Sequence, residues 1–334
     1  MAERKILYLP PKPLSADILS PQARSILEGL GQVVWNDTDL NLTPEEVKGL
    51  LPGVDAVVTS WGSAPLTADL LEAADSLKVV GHAAGSVKRL MAKEGYDRGI
   101  VMLSAAAVIA DAVAEYTLWA MLSGQRDLFR YDHRMRVERG WKRPEDGWGH
   151  EVYYKRVGIV SASMVGRRVM KLLAPWDCDL MVYDPYLSDA AAAELGARRV
   201  SLEELMSTAD IISVHAPSTA ETAKMIGAAH FASVKDGALF INSARTWVLD
   251  EEALIAELMT GRFRAYLDVF GAEPLAEDSP LRDLPNVFLT PHMAGASTES
   301  RARLVEGVAL DMARFFAGEP LQMAVSWERL QIMA

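Results

Sequence analysis

Residues 157–169, VGIVSASMVGRRV, constrain this chain more than any other stretch. Val157, Ile159 and Val160 form a short β-branched apolar run, the pattern of a buried parallel strand. Val169, Met170, Leu172 and Leu173 follow at helical spacing and predict a helix from Arg167 onward. Between them lies a tight turn ending in Gly166, and a second strand, Asp179–Tyr183, closes on Asp184. Strand, turn, helix and strand in this order make a βαβ unit.

Such a unit holds a dinucleotide when its turn reads G-x-G-x-x-G, each glycine giving the backbone room to turn, to approach a pyrophosphate or to pack helix on strand. Here the turn reads Ser161-Ala162-Ser163-Met164-Val165-Gly166, so only the third glycine is kept. Ser163 can still donate to a phosphate, and the helix N-terminus still offers unpaired N–H groups to an anion. Asp184 lies 18 residues past Gly166 (184 − 166), near the roughly 20 expected for a ribose-binding carboxylate. Pro185-Tyr186 follows it rather than an arginine, which favours NAD over NADP. The other reading of Asp184 is an ordinary turn-starting aspartate before proline.

The rest of the chain alternates strand and helix. Short apolar strands are expected at Lys5–Leu9, Val33–Trp35, Ala56–Thr59 and Leu77–Val80, with helices at Ser15–Leu30, from Thr43 and at Thr67–Ala74. Ala110–Leu128 is a long helical stretch apolar enough to need burial, and Arg126–Arg143 reads as a solvated helix and loop. Beyond the βαβ unit, helices are expected at Ser201–Met206, Thr219–Ile226, Ala228–Val234, Glu251–Met259 and Ser297–Phe316, and strands at Ile211–Val214, Gly237–Ile241, Ala265–Val269 and Val287–Leu289. A chain of 334 residues has room for two such domains. The net charge of −11 argues against nucleic acid or an anionic membrane surface as partner. The single cysteine, Cys178, allows no internal disulfide or cysteine-based metal cluster and fits a reducing, cytoplasmic compartment. The apolar run at the start is too short for a signal peptide, and no window approaches 18 apolar residues, so no membrane span is expected.

Chemistry-bearing residues fall where strands end. Trp61 follows one strand and Ala84-Gly85-Ser86 another, where glycines can let backbone N–H groups form an anion-binding nest or simply make turns. Arg245, Glu273 and His292 follow strands of the second half, so all three can converge on one sheet edge. An arginine fork grips a carboxylate with two parallel hydrogen bonds. An imidazole can exchange a proton with a carbonyl oxygen, and a neighbouring carboxylate stabilises its protonated form and orients its ring. Taken singly, each has a plainer reading: a structural histidine, a surface turn and a helix-start cation.

The motifs Val113-Ala114-Glu115-Tyr116, Val182-Tyr183-Asp184-Pro185, Val214-His215-Ala216-Pro217, Ile241-Asn242-Ser243-Ala244-Arg245, Leu267-Asp268-Val269-Phe270, Glu273-Pro274-Leu275, Asp278-Ser279-Pro280-Leu281 and Leu289-Thr290-Pro291-His292 occur in this order. In this series the chain resembles the D-isomer-specific 2-hydroxyacid dehydrogenases. The resemblance implies an α/β architecture of two Rossmann-like or flavodoxin-like parallel-sheet domains with a cleft between them. It implies a discontinuous substrate domain, 1–105 plus 297–334, and an NAD-binding domain, 106–296, whose first long helix serves hinge and dimer contacts. It implies hydride transfer between NAD, with NADP the lesser alternative, and a 2-hydroxy or 2-keto acid, in a homodimer. Arg245 is then the carboxylate binder, His292 the acid/base and Glu273 its partner. Ser163, Met164, Val165, Gly166, Asp184, His215, Ala216, Pro217, Ser243, Ala244, Asp268 and Gly295 would hold the cofactor, Asp268 near the nicotinamide carboxamide. Trp61 would meet the substrate, and the backbone of Ala84, Gly85 and Ser86 would help hold its carboxylate.

Three departures stand out. Serines replace the first two glycines of the fingerprint, Val87-Lys88-Arg89-Leu90 replaces a stretch that usually includes Asn or Asp, and bulky Trp247 stands where small residues are usual. They motivate two alternatives: a non-catalytic or regulatory relative with weakened nucleotide binding, or a dehydrogenase for an unusual anion such as a phosphonate.

Overall fold

The structure is a computed structural model and describes residues 4–332. The outermost ends of the expected substrate domain, and the first residues of the N-terminal run, lie outside the described residues. The chain divides into two units, Met1–Ile109 with Ala296–Ala334, and Ala110–Gly295.

The first unit is built on five parallel strands: β1 Lys5–Tyr8, β2 Gln32–Trp35, β3 Ala56–Thr59, β4 Val79–His82 and β5 Val101–Ser104. Their order is β2-β1-β3-β4-β5, so the chain reverses direction across the sheet between β1 and β3. β3 and β4 are buried throughout, which is why AVVT and VVGH carry no polar alternation. The helix Thr298–Ala317 packs over β4, and a Cβ on Gly81 would lie 2.1 Å from Val308 Cγ1, so glycine is what lets helix and strand meet.

The second unit holds seven parallel strands: β6 Arg156–Val160, β7 Asp179–Tyr183, β8 Arg198–Arg199, β9 Ile211–Val214, β10 Leu239–Asn242, β11 Arg264–Leu267 and β12 Val287–Leu289. Their order is β12-β11-β10-β9-β6-β7-β8, with the reversal between β6 and β9. Alternate strand residues serve two cores: Val157, Ile159, Val182 and Ile241 point one way, Met181, Ile212, Phe240 and Ala265 the other. Both units are therefore parallel α/β sheets of the expected class.

Several expected elements differ. The helix after β6 is Met164–Leu173, three residues longer at its start than Arg167, because Ser163 caps it and Gly166 lies inside its first turn. Ser15–Leu30 is two helices, Lys12–Ile18 and Pro21–Leu30, since Pro21 cannot continue a helix and Ser20 caps the second. Thr219–Ile226 is a turn, stitched by the Thr222 hydroxyl donating to the Pro217 carbonyl at 2.6 Å. β4 runs two residues past its expected end.

Arg126–Arg143 is only partly a solvated face, because Arg130 and Arg134 fold onto Asp146. The apolar helix is Ala106–Gln125, and by length and composition alone it is apolar enough to cross a membrane, contrary to the sequence reading. The core helix of a soluble protein passes the same test, and here Ala114, Ala120 and Met121 sit in the core of the second unit.

Candidate active site

Two turns at the carboxyl ends of strands in the second unit carry the candidate chemistry. The first follows β6. Ser161 takes φ +79°, the left-handed conformation for which a glycine is expected. Its hydroxyl donates to Asp184 Oδ2 at 3.3 Å, and the Ala162 N–H donates to the same oxygen at 2.9 Å. Asp184 Oδ1 accepts the Tyr186 N–H at 2.9 Å. The chain thus keeps the fingerprint's backbone shape while the first glycine is gone. At the third position a Cβ on Gly166 would lie 2.1 Å from the Ser161 carbonyl oxygen, which explains why this glycine alone survives.

The turn fits a dinucleotide. The Ser163 side chain accepts the Gly166 N–H at 3.3 Å, and this leaves its own hydroxyl proton to donate outward. The Met164 and Val165 N–H groups at the helix start have no protein acceptor among the described residues. Unpaired amides at a helix N-terminus are a ready anion site. Across the switch point, His215 follows β9 with Ala216 and Pro217. His215 is buried, its Nε2 shares a hydrogen bond with Ser213 Oγ at 2.9 Å, and its Nδ1 has no partner among the described residues. Burial pushes it down to about 3, so it is neutral at physiological pH. Ser243 is buried beside the Thr117 hydroxyl, and Ala244 donates to Asn242 Oδ1.

The second turn follows β12. His292 has φ +51°, and its Nδ1 meets Glu273 Oε2 at 2.7 Å. Burial raises the Glu273 carboxyl, but the His292 hydrogen bond, the Phe270 N–H and the nearby His292 and Arg245 charges outweigh it and hold it below the ordinary range. An ionised Glu273 can only accept, so Nδ1 carries the proton and Nε2 is left for chemistry. Arg245 is half-buried, its Nη1 donates to the Ala244 carbonyl at 2.7 Å, and its guanidinium interacts with the Glu273 charge. The structure therefore brings Arg245, Glu273 and His292 together.

Asp268 supports this turn from beneath. It is 1% exposed. Its Oδ1 accepts the Thr290 hydroxyl at 2.6 Å and the Met293 N–H at 2.8 Å, and its Oδ2 accepts the Ala294 N–H at 2.9 Å. Thr290 in turn meets the Tyr116 hydroxyl at 2.6 Å, and since Thr290 gives its proton to Asp268, Tyr116 is the donor. Burial, and the Asp268 charge beyond the Thr290 bond, push Tyr116 up to about 12, so it stays protonated. Sequence reasoning missed Tyr116 and Thr290 as a buttress, although both sit inside motifs that carried the resemblance. Gly295 closes this segment at the end of the unit. Trp247 is 57% exposed, and its indole N–H donates to the Thr219 carbonyl at 2.8 Å, tying the turn after β10 to the loop after β9.

In the first unit Trp61 is exposed after β3, with the Arg301 guanidinium 5.1 Å from its ring centre. After β4, the Ala83 N–H is bonded to the Thr59 carbonyl at 2.8 Å, but the N–H groups of Ala84, Gly85, Ser86 and Val87 have no acceptor among the described residues.

With the site's geometry in hand, the comparisons identify its class. Residues 118–294 match the family described as D-isomer specific 2-hydroxyacid dehydrogenase, NAD binding domain. The chain is 34% identical over 259 residues to a glyoxylate reductase from Korarchaeum cryptofilum, covering 76% of this chain and 78% of that protein. The chain belongs to the D-isomer specific 2-hydroxyacid dehydrogenase family, and NAD is its cofactor. It is also similar to a D-3-phosphoglycerate dehydrogenase from Mycobacterium bovis, at 33% identity over 317 residues and 95% of this chain, but it spans only 59% of that relative's length. A phosphoglycerate oxidoreductase from Rhizobium etli has a similar solved structure, with a TM-score of 0.81 at 26% identity, covering 96% of this chain and 98% of that one.

Proposed function

We propose that this protein is an NAD-dependent oxidoreductase that interconverts a 2-hydroxy acid and its 2-keto acid. NAD supplies the hydride acceptor in one direction and, reduced, the hydride donor in the other. In reduction, His292 gives the Nε2 proton to the carbonyl oxygen as it becomes a hydroxyl, and in oxidation it takes that proton back. Glu273 fixes the ring and stabilises imidazolium, and Arg245 holds the 2-carboxylate. Ser163, Met164, Val165 and Gly166 take the pyrophosphate and Asp184 the ribose, with His215, Ala216, Pro217, Ser243, Ala244 and Gly295 along the rest of the cofactor. Asp268, expected near the nicotinamide carboxamide, acts instead by positioning the His292 turn, because both its buried carboxylate oxygens are bonded to Thr290, Met293 and Ala294. The unit with β1–β5 is the substrate domain, through Trp61 and the amides of Ala84, Gly85 and Ser86, and the unit with β6–β12 is the cofactor domain.

The observation that carries this reading is the 2.7 Å contact of His292 Nδ1 with Glu273, because it orients the ring and leaves Nε2 outside that contact, while the Arg245 guanidinium interacts with the same carboxylate. A non-catalytic binder has no need of such a pair. The test is a fluorescence titration of the full chain with NADH and NADPH, followed by a 2-keto acid panel. Saturable NADH binding with oxidation by at least one 2-keto acid is expected. No binding of either nucleotide at millimolar concentration defeats the proposal. We further infer a cytoplasmic homodimer, and sedimentation of the purified chain at twice the 36.5 kDa monomer mass is the expected result.

A further inference from the structure

Within the second unit, two loops meet in front of β6. The strand order β9-β6-β7 puts β6 between its neighbours, so the ends of β7 and β9 stand about 10 Å apart. Yet Tyr186, just past β7, gives its phenol proton to the carboxylate of Glu221, in the loop after β9. The contact therefore crosses the carboxyl end of β6, where Ser161, Ala162 and Ser163 make their turn. Parallel sheets bind ligands beside the point where strand order reverses, and here the reversal falls between β6 and β9.

Both ends of this bridge are held. The Tyr186 N–H donates to Asp184 Oδ1 at 2.9 Å, which fixes the tyrosine to the carboxylate assigned to the ribose. The Glu221 loop is laced from within, the Thr222 hydroxyl donating to the Pro217 carbonyl at 2.6 Å and accepting the Thr219 N–H at 2.9 Å. It is tied to the turn after β10 by the Trp247 indole N–H on the Thr219 carbonyl at 2.8 Å and the Lys224 N–H on the Trp247 carbonyl at 2.9 Å. The Glu221 hydrogen bond and charge hold the Tyr186 phenol above its ordinary range, so it stays the donor. The bridge itself is the link most open to water: Tyr186 is 69% exposed and Glu221 is exposed too. A hydrogen bond for which water competes opens at small cost, whereas the loops it joins are set by bonds of their own. This contact can part for a ligand and re-form over it without either loop unravelling.

We propose that Tyr186 and Glu221 form a clasp over the adenosine half of NAD, which opens to admit the cofactor, closes over it and sets the rate at which it leaves. The inference rests on the function proposed above, in which Asp184 takes the ribose and the turn after β6 the pyrophosphate. The His292 turn follows β12, towards the opposite end of the strand order, so the clasp has no part in hydride or proton transfer.

The experiment loads the full chain with NADH, mixes it with excess NAD and follows the loss of bound NADH fluorescence by stopped flow. Tyr186→Phe keeps the ring and the N–H bond to Asp184, and Glu221→Ala alters an exposed loop residue, so both should fold. Each is expected to release NADH roughly threefold to tenfold faster than the parent, the worth of one partly hydrated hydrogen bond. The double variant should release it no faster than the faster single variant, because both substitutions remove the same contact. Single-turnover oxidation of bound NADH by a 2-keto acid should stay within about twofold of the parent in all three, whereas a general loosening of the site would slow it. Release unchanged in the single variants, single effects that multiply in the double variant, or a single-turnover rate that falls with them overturns the clasp and leaves the proposed function standing. The release measurement needs no substrate, so it decides the clasp even where no 2-keto acid is reduced and the proposed activity has failed. A parent chain that binds no NADH defeats the proposed function and the clasp with it.

Discussion

The turns after β6 and β12 solve one problem in two ways. Each puts a residue other than glycine in the left-handed region, Ser161 at φ +79° and His292 at φ +51°. Each is clamped by an aspartate just past the neighbouring strand, Asp184 after β7 and Asp268 after β11. Asp184 is half-buried and gives its Oδ2 to a backbone amide and to the Ser161 hydroxyl. Asp268 is fully enclosed, and its carboxylate bonds to Thr290, Met293 and Ala294. Under the proposed function, the turn that admits the cofactor keeps an accessible clamp. The turn that aims the imidazole keeps a sealed one, where low dielectric strengthens each bond and makes its loss costly.

The largest break in the comparison should come from Asp268→Ala. It strips the Met293 and Ala294 amides and the Thr290 hydroxyl of a charged acceptor in a dry site. We expect a loss of about 3–5 kcal/mol of stability by denaturant titration, with turnover falling as His292 loses its aim. A stability change below about 1 kcal/mol would show that the sealed clamp is idle.

Next in size is an acid effect. His82, with Nδ1 at 3.0 Å from the Thr59 hydroxyl, is pushed down by burial to about 4, and His215 to about 3. Both fold as neutral bases with pKa values below the ordinary 6.5, so below 6.5 the unfolded chain binds more protons than the folded one. Their contribution to stability is then full above pH 6.5 and falls as pH drops towards 4. By about pH 5 each histidine should cost about 2 kcal/mol. In His215→Asn, the parent's loss of stability between about pH 7.5 and about pH 5, read from denaturant midpoints, should shrink to roughly half. An unchanged difference would remove His215 as a cause. The lowered Glu273 carboxyl acts in a separate window, below its ordinary 4.5, where protonation releases His292.

Asp184→Ala should be milder on the fold and sharper on the cofactor. About 1–2 kcal/mol of stability is expected to go, as a partly hydrated acceptor is replaced. NADH binding by fluorescence should weaken roughly tenfold or more with the loss of the proposed ribose carboxylate. Equal stability losses for Asp184→Ala and Asp268→Ala would erase the contrast between the clamps. The smallest effect belongs to Ser161→Gly. Relief of left-handed strain, worth about 1 kcal/mol, is offset by the lost bond to Asp184, so stability should change by less than about 1 kcal/mol in either direction. NADH affinity that rises by more than roughly tenfold would mean that the serine distorts the turn.

These clamps mark the edge of what is legible in sequence. The alternation of apolar runs and capped helices displays both parallel sheets, because burial on both faces leaves an unmistakable signature in AVVT, VVGH and IISV. Helix starts are equally plain where a cap announces itself: Thr43 with Glu46 forms the capping box its spacing implies. The turn Thr219–Ile226 reads as helix in the sequence because its threonines bond their own loop, and such local competition leaves no periodic trace. The helix after β6 starts earlier than its apolar spacing indicates because Ser163, a candidate phosphate donor, is also its cap. Arg245, Glu273 and His292 are visible as strand-end residues. That Asp268 and Thr290 stand under the histidine is not, since their bonds run between strands distant in sequence. Nor does a string of letters show that Ser161 assumes a glycine's conformation, for that depends on Asp184 waiting 23 residues on.

Single-turnover oxidation of bound NADH by a 2-keto acid, followed by NADH fluorescence in the parent chain and in His292→Gln, tests the proton-transfer role most directly. The variant should bind NADH as the parent does, and its rate should fall by roughly a hundredfold to ten-thousandfold, the loss of a positioned proton donor. A variant that oxidises NADH at the parent rate would contradict that role.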